Sequence, residues 1–529
     1  MSEQLDFYSG RVKAGKMTRR EFMGKATALG VSTVMASSIF ASAARAQTPN
    51  RGGMLKMGGQ GGESTNSLDP ALAASDMPVN YLRTFGDTLV RVTAEGTVEP
   101  RVAESIEASA DAKTWTFKIR KGVEFHNGKT MTPDDVMATV ERHSDEESKS
   151  GALGIVKGIK GMKVDGDNVV FDLETGNADF PYLMADYHLQ IQPNGGKDDP
   201  AAGIGTGPYK LEVNEPGIRH GFTKFANHWD ESIGFADEVE ILVINDATAR
   251  TAALQSGQVH IIDRVDPKVA KLLDRAPNLE VRNVSGRGHY VFIMRIEMGE
   301  FANNHLRLAL KYAINRQEMV DKILRGYGGV GNDFPINAAY PLFDDTIPQR
   351  EYDAAAAAKH YKASGHDGSP IILRTADGAF PGAVDAAALF QQSAQAAGIP
   401  LEIKREPNDG YWSEVWNKQP FCASYWGGRP VQDQMYSTAY LSTADWNDTQ
   451  WKRPEFDAML LAARAELDLT KRKEIYSKMA NMLRDEGGLI LPMFNDFVDA
   501  VSNKVGGYTD DPNGGTMNGF WASRVWLNA

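Results

Sequence analysis

Aromatic side chains and a single arginine are concentrated between residues 411 and 446. Within this segment Trp426 lies beside glycines, and Arg429 lies between Gly428 and Pro430. An indole face can stack on an apolar or ring-shaped part of a small molecule. A planar guanidinium group matches a carboxylate or phosphate with two parallel hydrogen bonds. These residue types are suited to holding a ligand. The aromatic residues of the segment include Tyr411, Trp412, Trp416, Tyr425, Trp426, Tyr436 and Trp446.

The same residues also have a structural interpretation. Trp412 and Trp416 are one helical turn apart, so one face of that turn is expected to pack in a core. Arg429, and Arg295 at the end of the apolar run 290–294, could each pair with a protein carboxylate such as Asp433 or Glu297. Both interpretations stay open at this stage.

The residue patterns of an enzyme are not found in the sequence. A hydrolase would need a serine or cysteine nucleophile with a base, or paired carboxylates. The sequence has no Gly-x-Ser-x-Gly motif, and its one cysteine, Cys422, lies in an apolar run. The ten histidines are isolated, with no His-x-His or His-x-x-x-His spacing, so we predict no metal site. We predict a protein without catalytic residues or a cofactor, with an extracytoplasmic hydrolase as the alternative.

Length and charge limit the remaining possibilities. A chain of 529 residues is too long for one compact core, so we expect at least two lobes. The formal net charge is −12 at pH 7, which repels phosphate backbones and argues against nucleic-acid binding. A single cysteine cannot form an intramolecular disulfide.

The first 46 residues resemble an export signal. The segment Thr18-Arg19-Arg20-Glu21-Phe22-Met23 precedes an uncharged, weakly apolar stretch from Ala26 to Ala44. Paired arginines, an apolar run and a small-residue stop, in this order, outline a twin-arginine signal peptide. The small residues of Ala44-Arg45-Ala46 fit a signal peptidase, so we predict cleavage after Ala46 and export to the periplasm.

Strands and helices alternate through the rest of the chain. Period-two alternation predicts a strand over 114–120, and Thr132 followed by Pro133 predicts the start of a helix that runs to about residue 143. Helical spacing predicts helices over 247–256, 304–324, 354–363 and 381–397. Strands are predicted over 370–374 and 401–405, each after a helix and a glycine. This order indicates α/β lobes.

A set of short blocks follows in order along the chain after residue 46. The blocks are Ser67-Leu68-Asp69-Pro70-Ala71, Asp87-Thr88-Leu89-Val90, Lys113-Thr114-Trp115-Thr116-Phe117, Arg120-Lys121-Gly122-Val123-Glu124-Phe125-His126-Asn127-Gly128, Gly205-Thr206-Gly207-Pro208-Tyr209, Ala249-Arg250-Thr251-Ala252-Ala253-Leu254-Gln255-Ser256-Gly257, Arg307-Leu308-Ala309-Leu310, Ala313-Ile314-Asn315-Arg316 and Pro492-Met493-Phe494. Each block is a weak signal, but their order and spacing together are specific. Over essentially the whole chain after residue 46, they resemble the peptide/opine/nickel-binding family of ABC transporter solute-binding proteins.

The resemblance implies an α/β fold: a two-lobed periplasmic-binding-protein clamp of type II with an additional inserted subdomain. Ligand would be held between the lobes, which close on it. We expect the lobes to be joined near residues 285–290 and 485–492. The predicted division is 1–46 signal peptide, 47–82 first part of lobe I, 83–204 inserted subdomain, 205–286 second part of lobe I, 287–488 lobe II and 489–529 C-terminal part of lobe I.

The resemblance also directs attention to the segment 425–430. Peptide-binding members usually carry an acidic residue soon after the aromatic residue here, which pairs with the peptide's ammonium group, whereas this sequence has Arg429. An arginine at that position predicts an anionic ligand. We expect Arg295, on a neighbouring strand, to complete an anion clamp, and Asp433 to receive any cationic part of the ligand. The full set of expected ligand contacts is Arg429, Trp426, Gly427, Arg295, Asp433, Tyr290, Trp412 and Tyr436.

The family implies a periplasmic binding protein of an ABC importer. We expect a monomer that captures a small carboxylate- or phosphate-bearing solute, such as a peptide, an opine or a related amino-acid or sugar-acid derivative. It would deliver this solute to a permease in the inner membrane through a transient contact. A binding protein that serves a sensory receptor is the other alternative.

Overall fold

The computed structural model describes residues 5, 8, 11, 17, 19–29, 31, 36, 49–145, 147, 149–466 and 468–528. Helix α1 (Arg19–Ala28) begins at the twin arginines, whereas the predicted cleavage point after residue 46 lies outside the described residues. Among the described residues, no helix combines the length and apolar character needed to cross a bilayer.

The described elements alternate between strands and helices. The strands are β1 (Met54–Gly59), β2 (Val90–Val92), β3 (Val98–Pro100), β4 (Ala103–Ala108), β5 (Thr114–Ile119), β6 (Ile159–Asp165), β7 (Asn168–Leu173), β8 (Tyr209–Glu215), β9 (Arg219–Lys224), β10 (Glu238–Val243), β11 (Ile261–Ile262), β12 (Leu279–Val284), β13 (His289–Met294), β14 (Gly328–Val330), β15 (Ile371–Thr375), β16 (Leu401–Arg405), β17 (Phe421–Trp426), β18 (Leu489–Asn495), β19 (Phe497–Ser502), β20 (Val505–Gly506) and β21 (Trp526–Leu527). The further helices are α2 (Asp76–Phe85), α3 (Pro133–Ser144), α4 (Leu153–Val156), α5 (Phe180–Leu183), α6 (Ala247–Gln255), α7 (Pro267–Leu273), α8 (Asn304–Ala313), α9 (Arg316–Met319), α10 (Ala354–Ser364), α11 (Ala383–Gln395), α12 (Gln432–Ala439), α13 (Pro454–Ala465), α14 (Leu469–Glu486) and α15 (Trp521–Arg524), with 3₁₀ turns at 70–72, 193–196 and 299–302, π turns at 320–324 and 411–415, and a short turn at Gly515–Asn518 that includes positive φ angles.

The first lobe is built on a seven-stranded sheet with the order β12-β19-β11-β1-β10-β9-β8. β1 lies at its centre and pairs in parallel with β10 and β11. Leu55 and Met57 on β1 are fully buried, as expected for a central strand with both neighbours in place. The sheet draws its strands from 54–59, from 209–284 and from 497–502, so this lobe is discontinuous in sequence.

The second lobe is built on a six-stranded sheet with the order β14-β18-β13-β17-β15-β16. Every residue of β13 and β18 is buried, which fits their continuous apolar runs. β18 was predicted to belong to the first lobe, but it pairs with β13 and β14 in this sheet, so the boundary moves from 488 to 495. The chain enters the second lobe through 285–288 and returns at Asp496. The return therefore lies later than the predicted 485–492, because the apolar run continues to the end of β18.

A four-stranded antiparallel sheet, with the order β4-β5-β7-β6, forms a separate subdomain. Phe117 and Ile119 on β5 are buried, in agreement with the period-two pattern of that strand. Phe117 packs edge-on against Phe171 of β7 with ring centroids 5.5 Å apart. We call this unit, with helices α3 to α5 packed near it, the four-stranded subdomain.

Capping residues explain several helix ends. Pro133 occupies the first turn of α3, and the N–H of Thr132 donates to Oδ2 of Asp135 over 2.8 Å. The predicted helix over 304–324 is interrupted, because Ile314 is extended and the side chain of Asn315 caps a new helix at Arg316. The local capping preference of asparagine therefore overrides the continuous apolar spacing.

Candidate functional site

A cavity lies between the two lobes, with the four-stranded subdomain along one side. Its volume is about 150 Å³. The walls come from the start of α2 and the segment 513–519 in the first lobe, from residues 182–187 beside the subdomain, and from the end of β17 in the second lobe. Three separate parts of the chain therefore converge on one cavity, as expected for a ligand clamp.

The end of β17 directs Arg429 into this cavity. β17 runs antiparallel to β13, with Trp426 opposite His289 at its last position. The chain then leaves the sheet through Gly428, whose φ of +80° favours glycine. A Cβ at this position would lie 2.4 Å from Cβ of Arg287. Glycine is therefore needed both for the backbone conformation and for the close approach of the two segments.

The Arg429 guanidinium is buried but incompletely bonded. Nη1 donates to the carbonyl of Gly428 over 2.7 Å, and the backbone N–H donates to the hydroxyl of Tyr340 over 3.0 Å. Among the described residues, Nε and Nη2 make no hydrogen bond of good geometry, although the Tyr187 hydroxyl is near enough to raise the pKa of Arg429. The guanidinium carbon lies 5.7 Å from the Tyr187 ring centroid and 5.8 Å from that of Trp426. The group is held between two aromatic rings with donors left over.

Asp186 is the carboxylate nearest to Arg429 but is already occupied. Nε of Arg429 lies 3.8 Å from Oδ2 of Asp186, too far for a hydrogen bond. Oδ1 of Asp186 accepts from His188, and Oδ2 accepts from Nε2 of Gln434 over 3.1 Å. Burial alone would raise the pKa of Asp186, but His188 and Arg429 lower it, so the carboxyl group is ionised. Arg429 is therefore partly neutralised and keeps free donors.

Burial lowers the pKa of Arg429, but Tyr187 and Asp186 raise it by more, so the net shift is upward. Arg429 therefore stays charged inside the cavity. A charged group with unused donors in a water-poor site can bind a carboxylate or phosphate strongly.

A carboxyl group fixes the orientation of Trp426. The indole nitrogens of Trp426 and Trp416 both donate to Oδ2 of Asp448, over 3.1 and 3.0 Å. Burial raises the pKa of Asp448 to about 7, while the bonds from Trp416 and Trp426 oppose this shift. The ring of Trp446 packs edge-on against Trp416, with centroids 5.4 Å apart. The aromatic wall of the cavity is therefore a rigid cluster.

Tyr290 and Trp412, both expected at the site, also line the cavity, as does Gly427. Tyr290 stacks on Phe380 with ring centroids 4.4 Å apart. The backbone N–H of Trp412 donates to Oε1 of Glu63 over 2.8 Å, a bond between the two lobes. Arg429, Trp426, Gly427, Tyr290 and Trp412 are thus brought together by the fold.

Arg295 does not lie in this cavity, so the predicted clamp of two arginines from neighbouring strands is wrong. β13 and β17 are antiparallel, and Arg295 follows the end of β13 that faces Phe421, whereas Arg429 follows the opposite end of β17. About 17 Å of strand separates these ends. Arg295 pairs with Glu297 over 2.6 Å and donates to the backbone carbonyl of Asn417.

Asp433 and Tyr436 are likewise outside the cavity. They are three residues apart on α12 and share the face that packs against α13 and α14. Asp433 is fully buried and pairs with Arg464 over 2.6 Å. Tyr436 packs edge-on against Phe456 over 5.4 Å. The neighbouring Gln434, about 100° further around the helix, lines the cavity instead.

Several cavity residues were not predicted from the sequence. Asp76 at the start of α2 pairs with Arg264 over 2.5 Å, and the Arg264 guanidinium lies 3.6 Å from the ring centroid of Tyr425. Asp186 and Tyr187 come from an irregular segment after α5. An acidic residue at the start of a helix, such as Asp76, can be recognised in the sequence. No sequence pattern predicts that Asp76 or Asp186 lies near residues 425–429 in the folded protein.

The described residues contain no group of three or more histidine, cysteine, aspartate or glutamate side chains arranged to hold a metal ion. The cavity chemistry is therefore that of arginines, carboxylates and aromatic rings.

Comparisons with known proteins agree on one family. The family model described as "Bacterial extracellular solute-binding proteins, family 5 Middle" matches residues 97–448. The chain is 26% identical over 475 residues to the glutathione-binding protein GsiB of Salmonella choleraesuis, covering 86% of this chain and 92% of the relative. It is 25% identical over 429 residues to di/tripeptide-binding protein 1 of Pseudomonas aeruginosa, covering 74% and 79%.

Solved structures show the same fold. The periplasmic binding protein AgaA of A. tumefaciens, in complex with agropinic acid, superposes with a TM-score of 0.81 at 22% identity, covering 90% of this chain and 99% of its own. The ABC transporter-associated periplasmic binding protein DppA of Helicobacter pylori, in complex with a peptide, gives a TM-score of 0.81 at 22% identity, covering 91% and 99%. The expected two-lobed type II fold is thereby confirmed.

Proposed function

Because this chain belongs to the family 5 bacterial extracellular solute-binding proteins, we propose that it captures a small carboxylate- or phosphate-bearing solute between its lobes and delivers it to an ABC permease. The family consists of binding proteins, in agreement with the prediction that the chain is not an enzyme. The named relatives bind glutathione, di- and tripeptides, or agropinic acid. The solute of this chain belongs to the same broad range of small organic acids and amino-acid derivatives.

The Arg429 guanidinium carries this proposal. It is 92% buried (8% exposed) at the cavity, and two of its nitrogens make no hydrogen bond of good geometry among the described residues. Leaving buried donors without a partner is costly, so such a site favours an acceptor that arrives with the ligand. A carboxylate or phosphate group supplies two acceptor oxygens in the geometry that Nε and Nη2 offer. A neutral solute would leave part of this capacity unused.

Capture requires relative motion of the lobes. We assign 47–86, 205–286 and 496–529 to the first lobe, 87–204 to the inserted subdomain and 287–495 to the second lobe, because α2 continues to Phe85 and belongs whole to the first lobe. The lobes are joined by 285–288 and Asp496, two short connections that can act as a hinge. Closure places Arg429 and Trp426 over a solute that rests on the first lobe. The permease then recognises the closed form.

We further propose that residues 1–46 direct export by the twin-arginine route and that the mature protein acts in the periplasm as a monomer. The order of Arg19-Arg20, apolar run and small-residue stop supports this assignment. The name of the family, extracellular solute-binding proteins, agrees with an exported protein.

A thermal-shift screen of the mature protein tests the proposal. The panel contains dipeptides, opines, sugar acids, simple carboxylates and inorganic phosphate, each with a neutral amide or alcohol analogue. We expect at least one anionic compound to raise the Tm and its neutral analogue to have a much smaller effect, because only the anion satisfies Arg429. A neutral or cationic compound that binds more tightly than every anion would contradict the proposal.

A further inference from the structure

A second arginine enters the cavity from the first lobe. Arg83 lies in the last turn of α2, is 8% exposed and contributes to the cavity wall. No local pattern indicates a role for this residue, because it lies in an ordinary amphipathic helix. Arg83 reaches the cavity from the first lobe, whereas Arg429 reaches it from the second lobe.

The Arg83 guanidinium lies on an aromatic ring, and among the described residues no carboxylate is within ion-pair distance of it. Its carbon atom lies 4.2 Å from the ring centroid of Phe520. Nε is buried and, within the part of the chain that the structure describes, finds no hydrogen-bond acceptor. Burial lowers the pKa of Arg83 to about 10, although Asp186 and Asp511 act in the opposite direction. The group is therefore charged at neutral pH while it is largely removed from water.

Three other arginines that are largely shielded from water, in the first lobe and the inserted subdomain, differ from Arg83. Each of them has a carboxylate in direct contact, which offsets the cost of burying a positive charge. These pairs are Arg101 with Asp87 at 3.0 Å, Arg250 with Asp263 at 3.4 Å and Arg264 with Asp76 at 2.5 Å. The environment of Arg83 therefore contrasts with the pairing of these three arginines.

The backbone beside Arg83 is shaped to accommodate it. Gly519 has a φ of +77°, and a Cβ added there would lie 2.9 Å from Cδ of Arg83. The preceding residues Thr516, Met517 and Asn518 also have positive φ, between +52° and +57°, which is costly for residues other than glycine. Thr516 and Asn518 line the same cavity. Strained backbone of this kind persists mainly at functional sites.

We propose that Arg83 binds a second anionic group of the solute, so that the solute is a dianion held by Arg83 from the first lobe and by Arg429 from the second. This inference rests on the proposed solute-binding function. The two guanidinium groups lie on different aromatic rings, although Asp186 raises the pKa of both. Arg83 lies on Phe520, whereas Arg429 lies between Tyr187 and Trp426. They therefore offer two positions, and a solute with an anionic group at each end connects the lobes and stabilises the closed form.

Calorimetric titration with a series of unbranched dicarboxylates tests this inference. The probes run from succinate to azelate, each paired with its monoamide, in which one carboxylate is replaced by a neutral carboxamide of similar size. With wild-type protein we expect at least one dicarboxylate to bind roughly tenfold or more tightly than its monoamide. In Arg83→Gln this preference should be lost, whereas the monoamide should bind as it does to wild type.

Arg524→Gln serves as the matched control. Arg524 lies 4.8 Å from the centroid of the same Phe520 ring but is not part of the cavity wall. It should retain the preference for the dicarboxylate. Equal affinity of wild type for every dicarboxylate and its monoamide, or an unchanged preference in Arg83→Gln, would overturn the inference. If a monocarboxylate or inorganic phosphate binds but no dicarboxylate does, the inference fails and the proposed function stands. If no carboxylate or phosphate binds at all, both fail.

The thermal stability of the ligand-free variants gives a second readout. Removing an unpaired buried charge should leave the Tm of Arg83→Gln equal to or above that of wild type, since sites that are poised for a ligand are often destabilising without it. A folded Arg83→Gln protein with a Tm lowered by several degrees would show that Arg83 supports the fold, and would contradict its assignment to ligand.

Discussion

Tyr425 of the second lobe and Asp76 of the first lobe are linked across the cavity by two hydrogen bonds. The Tyr425 hydroxyl donates to Oδ1 of Asp76 over 3.1 Å and accepts from the backbone N–H of the same residue over 3.0 Å. Arg264 completes the contact by pairing with Asp76 and lying on the Tyr425 ring. This contact can exist only while the lobes are closed, so it contributes directly to the closed state.

Tyr425→Phe should therefore weaken solute binding without unfolding the protein. Loss of net hydrogen-bond energy of about 0.5 to 1.5 kcal/mol corresponds to roughly two- to tenfold weaker affinity in calorimetry. Small-angle scattering of wild type should show a smaller radius of gyration with solute than without it. Tyr411→Phe is the control, because the Tyr411 hydroxyl bonds to the carbonyl of Ala423 within the second lobe. An affinity loss in the control equal to that in Tyr425→Phe would contradict a specific role of the contact between lobes.

Gly428 is predicted to be irreplaceable, in contrast to its neighbour. Gly428→Ala places a Cβ 2.4 Å from the side chain and 2.8 Å from the backbone of Arg287, at a φ of +80°. The strained backbone alone costs about 1 to 2 kcal/mol, and the segment that carries Arg429 must also move. We expect a lower Tm and at least tenfold weaker solute binding.

Gly427→Ala is the matched control for this substitution, because no atom lies within 4 Å of a Cβ at Gly427. Its Tm should stay within about 1 °C of wild type, as for a substitution that disturbs no packing. Equal Tm values for the two variants would show that the close approach at Gly428 is unimportant.

Asp448 should make the stability depend on pH. Burial raises the pKa of its carboxyl group to about 7 from an ordinary value of 3.8, so the folded protein holds a proton that the unfolded chain has lost. The protonated Asp448 carboxyl group contributes its full stabilisation below about pH 4. This stabilisation decreases as the pH rises towards 7 and no longer changes above about pH 7. Asp448→Asn keeps an acceptor for both indoles and removes the titration.

Thermal unfolding of both proteins from pH 4 to 8 measures this effect. The free energy of unfolding of wild type, relative to Asp448→Asn, should fall by an amount on the order of a few kcal/mol across this range. Asp263 and Asp499 also have raised pKa values but are present in both proteins, so their contributions cancel. A difference that does not change with pH would show that Asp448 is ionised throughout.

The elements of the fold were easier to predict from sequence than the partners at the site. The strand at 401–405 and the helix at 247–255 follow local apolar spacing and capping residues, which act within a few positions of the chain. The prediction that Arg295 and Arg429 share one anion site was wrong. It depends on the direction and register of β13 against β17, which no local pattern specifies. Asp186 and Arg83 were missed for the same reason, since their importance arises only from contacts between distant segments.

The export signal gives a prediction that does not depend on the solute. Replacement of Arg19 and Arg20 together by lysine should leave the precursor in the cytoplasm, because the twin-arginine receptor recognises both guanidinium groups. Cell fractionation and immunoblotting measure the distribution, and the N-terminal sequence of the exported wild-type protein should begin at Gln47. Normal accumulation of the double variant in the periplasm would refute this export route.

The affinity of Arg429 variants for an anionic solute tests the central claim most directly. The measurement is calorimetric titration with the anion that gives the largest thermal shift, using wild type, Arg429→Ala, Arg429→Lys and, as control, Arg295→Ala, with circular dichroism to confirm folding. We predict roughly ten- to several-hundred-fold weaker binding for Arg429→Ala, partial recovery for Arg429→Lys, and wild-type affinity for Arg295→Ala. A folded Arg429→Ala protein that binds the anion as tightly as wild type would contradict the account.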